Sequence, residues 1–330
     1  MITLPFQPLI ILIISSFPYH DTNEYKTLVN NCWYFTHTAD NKAYILGYMI
    51  PSVATALLSL TPQILEHLAI DGEARSISLK ATTIETRTEV LAAITNHWRV
   101  NKTFCILKKW REEHTPIYAP SGALYATIER ASTPLFGLVS YYVYLIAYTV
   151  EPNISSKPEN EPGKREINIW IQRRALSKAS HGGFLDCTVA GAIQTGQTPA
   201  ESLARESEEE ASFPPAITAK AIPVLPGNNK NLNMRISPSG VGDGEMYYTA
   251  GCGFGYEIEL TKGEIPVPSD GEVSKFYKMS VQEVKERLRR EEFTPYAARI
   301  LVEWLVARGE IPEGDRFKNA RKRELVFPLM

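Results

Sequence analysis

Glu206, Glu209 and Glu210 stand at positions i, i+3 and i+4 of the run Arg205-Glu206-Ser207-Glu208-Glu209-Glu210. On an α-helix this spacing gathers three carboxylates on one face, where like charges destabilise an isolated helix by roughly 0.2–0.5 kcal/mol per pair. A hard divalent cation with oxygen ligands offsets such repulsion. Bound there, it would bridge phosphate oxygens, neutralise their charge and acidify a coordinated water, which is the chemistry of phosphoanhydride cleavage. The same run also reads as a solvated acidic helix; the turn and cap beside it favour the first reading. Arg173 and Arg174 offer planar guanidinium forks, one suited to pairing with a diphosphate and the other a surface charge. Glu257 and Glu259, two apart on an expected strand, face one side and read either as metal-facing or as solvent-facing carboxylates.

The carboxylates need a fixed helix, and its limits are written in the chain. Thr198 is an N-cap, Pro199 fills the first helical position and Glu201 follows three residues after the cap, a capping-box start. Pro214 and Pro215 cannot continue a helix, so it spans residues 199–212. Ahead of it, Ala190-Gly191-Ala192-Ile193 reads as a strand end feeding a glycine-bearing turn.

A chain of 330 residues accommodates two domains, each with its own core. The 35 basic and 37 acidic residues leave no basic footprint for nucleic acid, while a small phosphorylated ligand needs only local cations. Cys32, Cys105, Cys187 and Cys252 form no C-x-x-C pair, which argues against a zinc site and a disulfide framework and makes the reducing cytoplasm the expected setting. The apolar run at residues 9–17 is too short to span a bilayer and has no basic stretch before it. Residues 1–22 are therefore expected as a buried or disordered leader, with a signal peptide as the alternative reading, and no membrane partner is expected. His20, His37, His67, His97 and His114 stand apart and read as surface or packed side chains.

In chain order, residues 23–135 read as an α+β module. Its elements are a helix at 24–32, a strand at 44–53 crossing Gly47 and Pro51, and a helix at 62–70 capped by Thr61. A strand at 76–80, an amphipathic helix at 88–98 with Val90, Leu91 and Ile94 inward, and strands at 115–118 and 124–128 follow. Residues 136–330 read as a second domain with strands at 137–149, 167–172, 187–193, 221–225 and 255–260 and helices at 280–289 and 295–308. A Pro/Ser/Glu-rich surface loop is expected at 151–166, and the Gly- and Asn-rich stretch 227–255 contains few β-formers.

The spacing of Gly191, Gln197, Arg205-Glu206, Glu209-Glu210 and Phe213 resembles the Nudix box, in which Glu stands at the position of Gln197, a small apolar residue at Ser207 and Gly at Ser212. The likeness continues through Trp110-Arg111-Glu112-Glu113, Ile128-Glu129-Arg130-Ala131, Pro134-Leu135-Phe136-Gly137, Trp170-Ile171-Gln172-Arg173-Arg174 and Leu185-Asp186-Cys187-Thr188-Val189-Ala190-Gly191. It returns at Tyr256-Glu257-Ile258-Glu259-Leu260, Asp270-Gly271-Glu272-Val273 and Phe327-Pro328. Together these motifs resemble thiamine pyrophosphokinase-related Nudix proteins, which carry an N-terminal module of unassigned activity before the Nudix domain. That family has a Pro-Glu-x-x-Tyr segment where this chain has Tyr248-Thr249-Ala250-Gly251-Cys252.

The resemblance implies an α/β fold: a Nudix α/β/α sandwich with a mixed sheet, preceded by a smaller α+β domain. It implies a Nudix hydrolase acting on phosphoanhydride bonds with Mg2+, or alternatively Mn2+. Glu209, Glu210 and the Gly191 carbonyl would then be metal ligands, Glu206 a ligand or the general base, and Arg205 an orienting group for a carboxylate. Glu272 matches an acidic position in a loop after the box and is a further candidate base, and Glu257 or Glu259 a further metal ligand. The implied substrate is a small diphosphate, thiamine diphosphate and above all its oxidised derivatives, cleaved to the monophosphate and phosphate. Two other readings stay open: hydrolysis of nucleoside diphosphate derivatives such as ADP-sugars, and a non-catalytic binding module on a degenerate Nudix scaffold, suggested by Gln197 and Ser212.

Overall fold

The structure, a computed structural model, describes residues 23–152, 165–178, 180–224, 230–238 and 246–312. The apolar leader at residues 1–22 with His20, most of the 151–166 loop and Phe327-Pro328 lie outside the described residues.

The N-terminal domain comprises α1 (Asn23–Asn31), β1 (Trp33–Ala39), β2 (Lys42–Met49), α2 (Pro51–Leu58), α3 (Pro62–Leu65), β3 (Leu68–Asp71), β4 (Ser76–Leu79), α4 (Ile84–Val100), β5 (His114–Tyr118) and β6 (Leu124–Glu129). Four strands form a sheet in the order β2-β1-β4-β3, and β5 and β6 form a separate hairpin. The apolar stripe of α4 (Val90, Leu91, Ile94 and Trp98) packs with Phe35, Leu57, Tyr125 and Ile128 in one core. Two expectations need correction. The strand expected at 44–53 ends at Met49, because Pro51 takes the first position of α2, where its fixed φ and missing N–H are tolerated. The helix expected at 62–70 stops at Leu65, since Leu68–Asp71 pairs antiparallel with β4 and its backbone groups are satisfied in the sheet.

The second domain comprises β7 (Val139–Pro152), β8 (Arg165–Arg174), β9 (Leu185–Asp186), β10 (Val189–Ala192), α5 (Pro199–Ala211), α6 (Pro215–Thr218), β11 (Ile222–Pro223), β12 (Lys230–Pro238), β13 (Met246–Glu259), β14 (Val273–Ser280), α7 (Val281–Arg289) and α8 (Pro295–Ala307). Its sheet runs β11-β13-β7-β8-β14, with β10 on β7, β9 on β8 and β12 on β13. Strands β13 and β7 are parallel and the other pairs antiparallel, so the sheet is mixed. The two-residue period of β7 divides two cores. Val143, Leu145 and Ala147 pack with Leu203 and Ala211 of α5 on one face, while Tyr144, Ile146 and Tyr148 pack with α7 and α8 on the other. This is the α/β/α sandwich.

The stretch 227–255, poor in β-formers, nevertheless supplies β12 and most of β13. Tertiary packing decides this. A Cβ on Gly251 would lie 2.6 Å from Tyr296 Cε1 and one on Gly253 3.0 Å from Tyr144 Cε2, so the missing side chains let β13 approach α8 and β7 closely. Cys252 and Phe254 fill the core on the opposite face.

The two domains meet backbone to backbone. Gly137 adopts φ +58°, and a Cβ there would stand 1.9 Å from Tyr48 O; a Cβ on Gly47 would stand 2.1 Å from Phe136 O. The cores also interlock, since Tyr247 of β13 lies in the N-terminal core while Cys32 and Tyr48 lie in the core under α5. Gly137→Ala meets both a left-handed backbone and a rigid carbonyl, and is expected to lower stability by roughly 2–4 kcal/mol. Urea unfolding of the full chain measures this; a change within about 0.5 kcal/mol would show that the junction yields.

Candidate active site

Helix α5 is fixed at both ends by the residues that the sequence marks. Thr198 Oγ1 accepts from Glu201 N at 3.2 Å and the Glu201 carboxylate accepts from Thr198 N at 2.8 Å, completing the capping box. At the other end Ser212 adopts the left-handed conformation (φ 55°, ψ 28°), and Phe213 N donates to Ser207 O at 3.0 Å. That backbone explains why the box favours glycine there. Ser212 retains the position and uses its hydroxyl to donate to Val267 O at 2.9 Å.

The three carboxylates have different surroundings. Glu206 is nearly buried against Gly191, where an added Cβ would lie 1.9 Å from Glu206 Cδ. Glu209 is half exposed. Glu210 is 1% exposed, and its Oε2 accepts from Gln172 Nε2 at 3.1 Å and Ala190 N at 2.9 Å; Oε1 has no protein partner among the described residues. Arg205 spans the first two, with Nη2 at 2.7 Å from Glu206 Oε1 and Nη1 at 2.7 Å from Glu209 Oε2. It also donates to Ala192 O at 3.1 Å and, through Nε, to Gln197 Oε1 at 3.3 Å. Gln197 therefore holds Arg205 without contributing charge, and Ser202 Oγ, donating to the same Oε1 at 2.9 Å, steadies the amide.

Arg205, Glu206, Glu209 and Gly191 line a cavity of about 1160 Å3 that runs between the two domains. Glu272 joins them from the loop before β14, paired with Lys178. Of the two arginines on β8, Arg174 faces the cavity and pairs with Asp186 Oδ2 at 3.1 Å. Arg173 is held by Gly183 O at 2.7 Å and by the Tyr277 hydroxyl at 3.3 Å, and is not among the lining residues. Glu210 lies just behind the wall. Glu257 is placed elsewhere: it takes Trp304 Nε1 at 2.5 Å and an ion pair from Arg308, so α8 rather than the cavity occupies its carboxylate. The metal-facing reading of Glu257 gives way to this structural one.

Several lining residues escape the sequence reading. Asp186 is 2% exposed and accepts from Thr294 Oγ1 at 3.2 Å and Cys187 N at 2.9 Å besides pairing with Arg174. Its presence in the run Leu185-Asp186-Cys187 was the available signal. Tyr142, Tyr144 and Tyr296 form an aromatic wall, with Tyr142 and Tyr296 ring centroids 5.6 Å apart. Arg111, His114 and Arg130 come from the N-terminal domain, and His181 from the loop after β8.

The donor chemistry of this wall fits a hard divalent cation. With His114 and His181 neutral and the other groups ionised, seven carboxylates face five guanidinium or ammonium groups, an excess of two negative charges. Burial raises the Glu206 carboxyl above its ordinary value, against the lowering effect of Arg205. Burial pushes Glu210 well above its ordinary value; the Ala190 N–H opposes this, and the charges of Glu206 and Asp186 add to it. Among the described residues no three His, Cys, Asp or Glu side chains already stand together as a ligand set. Arg205 occupies Glu206 and Glu209, and Glu210 is turned toward Gln172 with its Oε1 left open among the described residues.

The raised Glu210 carboxyl makes a pH prediction for metal-free protein. The folded chain keeps a proton that the unfolded chain loses above about pH 4.5, so this contribution is fully present below that pH and fades as pH rises through the folded value. The Tm of the wild type should therefore fall relative to that of Glu210→Gln between about pH 4.5 and 7.5 in EDTA. A constant difference across that range would contradict the assignment.

Residues 158–301 match the NUDIX domain, and residues 42–140 match a domain of unknown function, DUF4743. The chain thus carries a Nudix domain behind a separate N-terminal domain. Over 318 residues it is 23% identical to an uncharacterized protein of Saccharomyces cerevisiae, YJR142W, covering 94% of this chain and 89% of that one. It is 27% identical over 199 residues to Nudix hydrolase 24, chloroplastic, of Arabidopsis thaliana, covering 60% of this chain and 48% of the relative, so it spans about half of that protein's length. The crystal structure of DR0079 from Deinococcus radiodurans aligns at 18% identity and a TM-score of 0.36, over 64% of this chain and 100% of that one, a likeness too distant to bear on the site. Nudix hydrolases generally use divalent metals such as Mg2+ or Mn2+. Among the described residues no helix is long and apolar enough to cross a membrane.

Proposed function

We propose that the chain hydrolyses a phosphoanhydride bond in a small diphosphate, using Mg2+ or Mn2+ held by Glu206, Glu209 and Glu210, with the Gly191 carbonyl as a further oxygen ligand. The observation that carries this reading is the Arg205 bridge between Glu206 and Glu209 on the wall of a cavity with two excess negative charges. When bound, the cation supplies charge neutralisation and an acidified water.

The side chains of the chain supply the rest. Glu206, nearly buried on the cavity wall beside Gly191, would take a proton from the attacking water. Glu272, held by Lys178 on the same cavity, is the second candidate for that role. Arg205 holds Glu206 and Glu209 in place, and Arg174, the arginine of β8 that lines the cavity, anchors Asp186 on its wall.

The substrate we propose is an oxidised thiamine diphosphate, cleaved to the monophosphate and phosphate. Support comes from the family motifs and from the wall of Tyr142, Tyr144 and Tyr296, which suits a planar ring through aromatic stacking. Phosphate release from oxothiamine diphosphate and from ADP-ribose, with purified full chain and Mg2+, tests the assignment. Oxothiamine diphosphate should be cleaved with the higher kcat/KM; a preference for ADP-ribose would move the substrate to nucleoside diphosphate derivatives.

A further inference from the structure

Two sequence motifs remain unused by the Nudix chemistry, Trp110-Arg111-Glu112-Glu113 and Ile128-Glu129-Arg130-Ala131. They are nearly twenty residues apart in sequence, yet the fold makes them one unit. Strands β5 and β6 pair His114 with Glu129, and Arg130 N donates to Glu113 O at 2.8 Å. The buried Glu129 carboxylate then accepts from both Arg111 N and Ala131 N, each at 3.1 Å. One carboxylate oxygen thereby pins the backbone beside both arginines. Arg99 stacks on Trp110 at 4.4 Å, and Glu112 adopts φ +60°, a left-handed conformation that disfavours a residue with a side chain. These features hold Arg111 and Arg130 on the wall of the cavity that Glu206 and Glu209 also line.

We propose that the N-terminal domain is the anion-binding half of this cavity, with Arg111 and Arg130 holding phosphoryl oxygens of the substrate. The proposal rests on reading the cavity as a diphosphate site. Arg205 is committed to Glu206 and Glu209, Arg174 to Asp186 and Lys178 to Glu272. Arg130 gives one Nη1 contact to Glu113 at 2.7 Å and leaves the rest of its fork. Arg111 is exposed, and among the described residues its guanidinium has no hydrogen-bond or ion-pair partner. An incoming diphosphate therefore meets these two cations without breaking a bridge to a cavity carboxylate of the Nudix domain. Desolvation works against the Arg130 charge, but Tyr142, Glu113 and Glu206 outweigh it, so the guanidinium stays charged beside the acidic helix.

The domain junction makes this arrangement durable. Gly47 and Gly137 allow backbone contact between β2 and the segment that leads into β7, and Thr195 Oγ1 donates to His114 O at 3.1 Å across the cavity rim. The hairpin is thus held against the loop that follows β10. Paired guanidinium forks are suited to the oxygens of a phosphate by charge-assisted, planar hydrogen bonding.

Titration calorimetry of inorganic pyrophosphate into the full, metal-free chain separates this proposal from turnover. Arg111→Gln and Arg130→Gln should each weaken binding on the order of 10-fold, and Arg130→Lys should recover part of the loss. Lys262→Gln, at an exposed position outside the cavity, should bind within about twofold of the wild type. Arg111→Gln removes no protein contact, so its result stands even if Arg130→Gln folds poorly. Wild-type affinity in Arg111→Gln, or failure of the wild type to bind pyrophosphate, would overturn the proposal. Arginine-dependent pyrophosphate binding without turnover of any diphosphate would sink the hydrolase reading and leave the anion site standing.

Discussion

Gly191→Ala is expected to lower kcat/KM by about 100-fold or more while leaving the fold intact, because a displacement of about 1 Å in a reacting group is enough for a loss of that size. The added Cβ would lie 1.9 Å from Glu206 Cδ and 2.2 Å from both Cγ and Oε1. The Glu206 carboxylate must therefore leave its place beside Arg205. Gly191 has no positive φ, so alanine does not strain its backbone, and it lies on a cavity wall rather than in a core. Steady-state phosphate release and urea unfolding of the same preparation test the two halves of the prediction. Unchanged turnover would mean that the carboxylate beside Gly191 takes no part in the chemistry.

Glu206→Gln should have the larger effect on turnover, on the order of 1000-fold, since it removes both a ligand charge and the proposed base. Glutamine preserves the shape and one acceptor. Arg205 keeps Glu209, Ala192 O and Gln197, so the helix and its anchor remain. Because burial raises the Glu206 carboxyl, the neutral amide relieves a desolvation penalty, and the metal-free variant should melt at or above the wild-type temperature near neutral pH. Parallel activity and Tm measurements distinguish this from simple unfolding. Retention of activity within about tenfold of the wild type would reassign the base to Glu272 or another group.

Features set by neighbours in sequence were legible before the structure. The capping box of Thr198 and Glu201 is local chemistry, and the helix starts at Pro199 as its sequence predicts. Ser212 stands where the motif carries Gly, and its left-handed backbone supplies the physical reason for that preference. The orienting role that the resemblance implies for Arg205 agrees with its ion pairs to Glu206 and Glu209.

What the sequence concealed depends on distant contacts. Glu257 and Glu259 share a strand face, but strand spacing cannot reveal that Trp304 of α8 and Arg308 at its C-cap wait for Glu257. The glycines of β13 lower its strand propensity, yet they are what admits Tyr296 and Tyr144, so packing overrides composition. Pro51 stood in an apolar run that reads as strand, and only the chain direction after Met49 shows that it opens a helix. The cavity itself is the most non-local feature, because Arg111 and Arg130 share its wall with Glu206 and Glu209, which lie about 75 to 100 residues further along the chain.

The most direct test of the central claim is Mg2+-dependent phosphate release from oxothiamine diphosphate by the full chain, measured beside the double variant Glu209→Gln/Glu210→Gln. The acidic helix as a metal-bearing catalytic element predicts turnover by the wild type that EDTA abolishes and the double variant lacks. Wild-type release no faster than that of the double variant would contradict it.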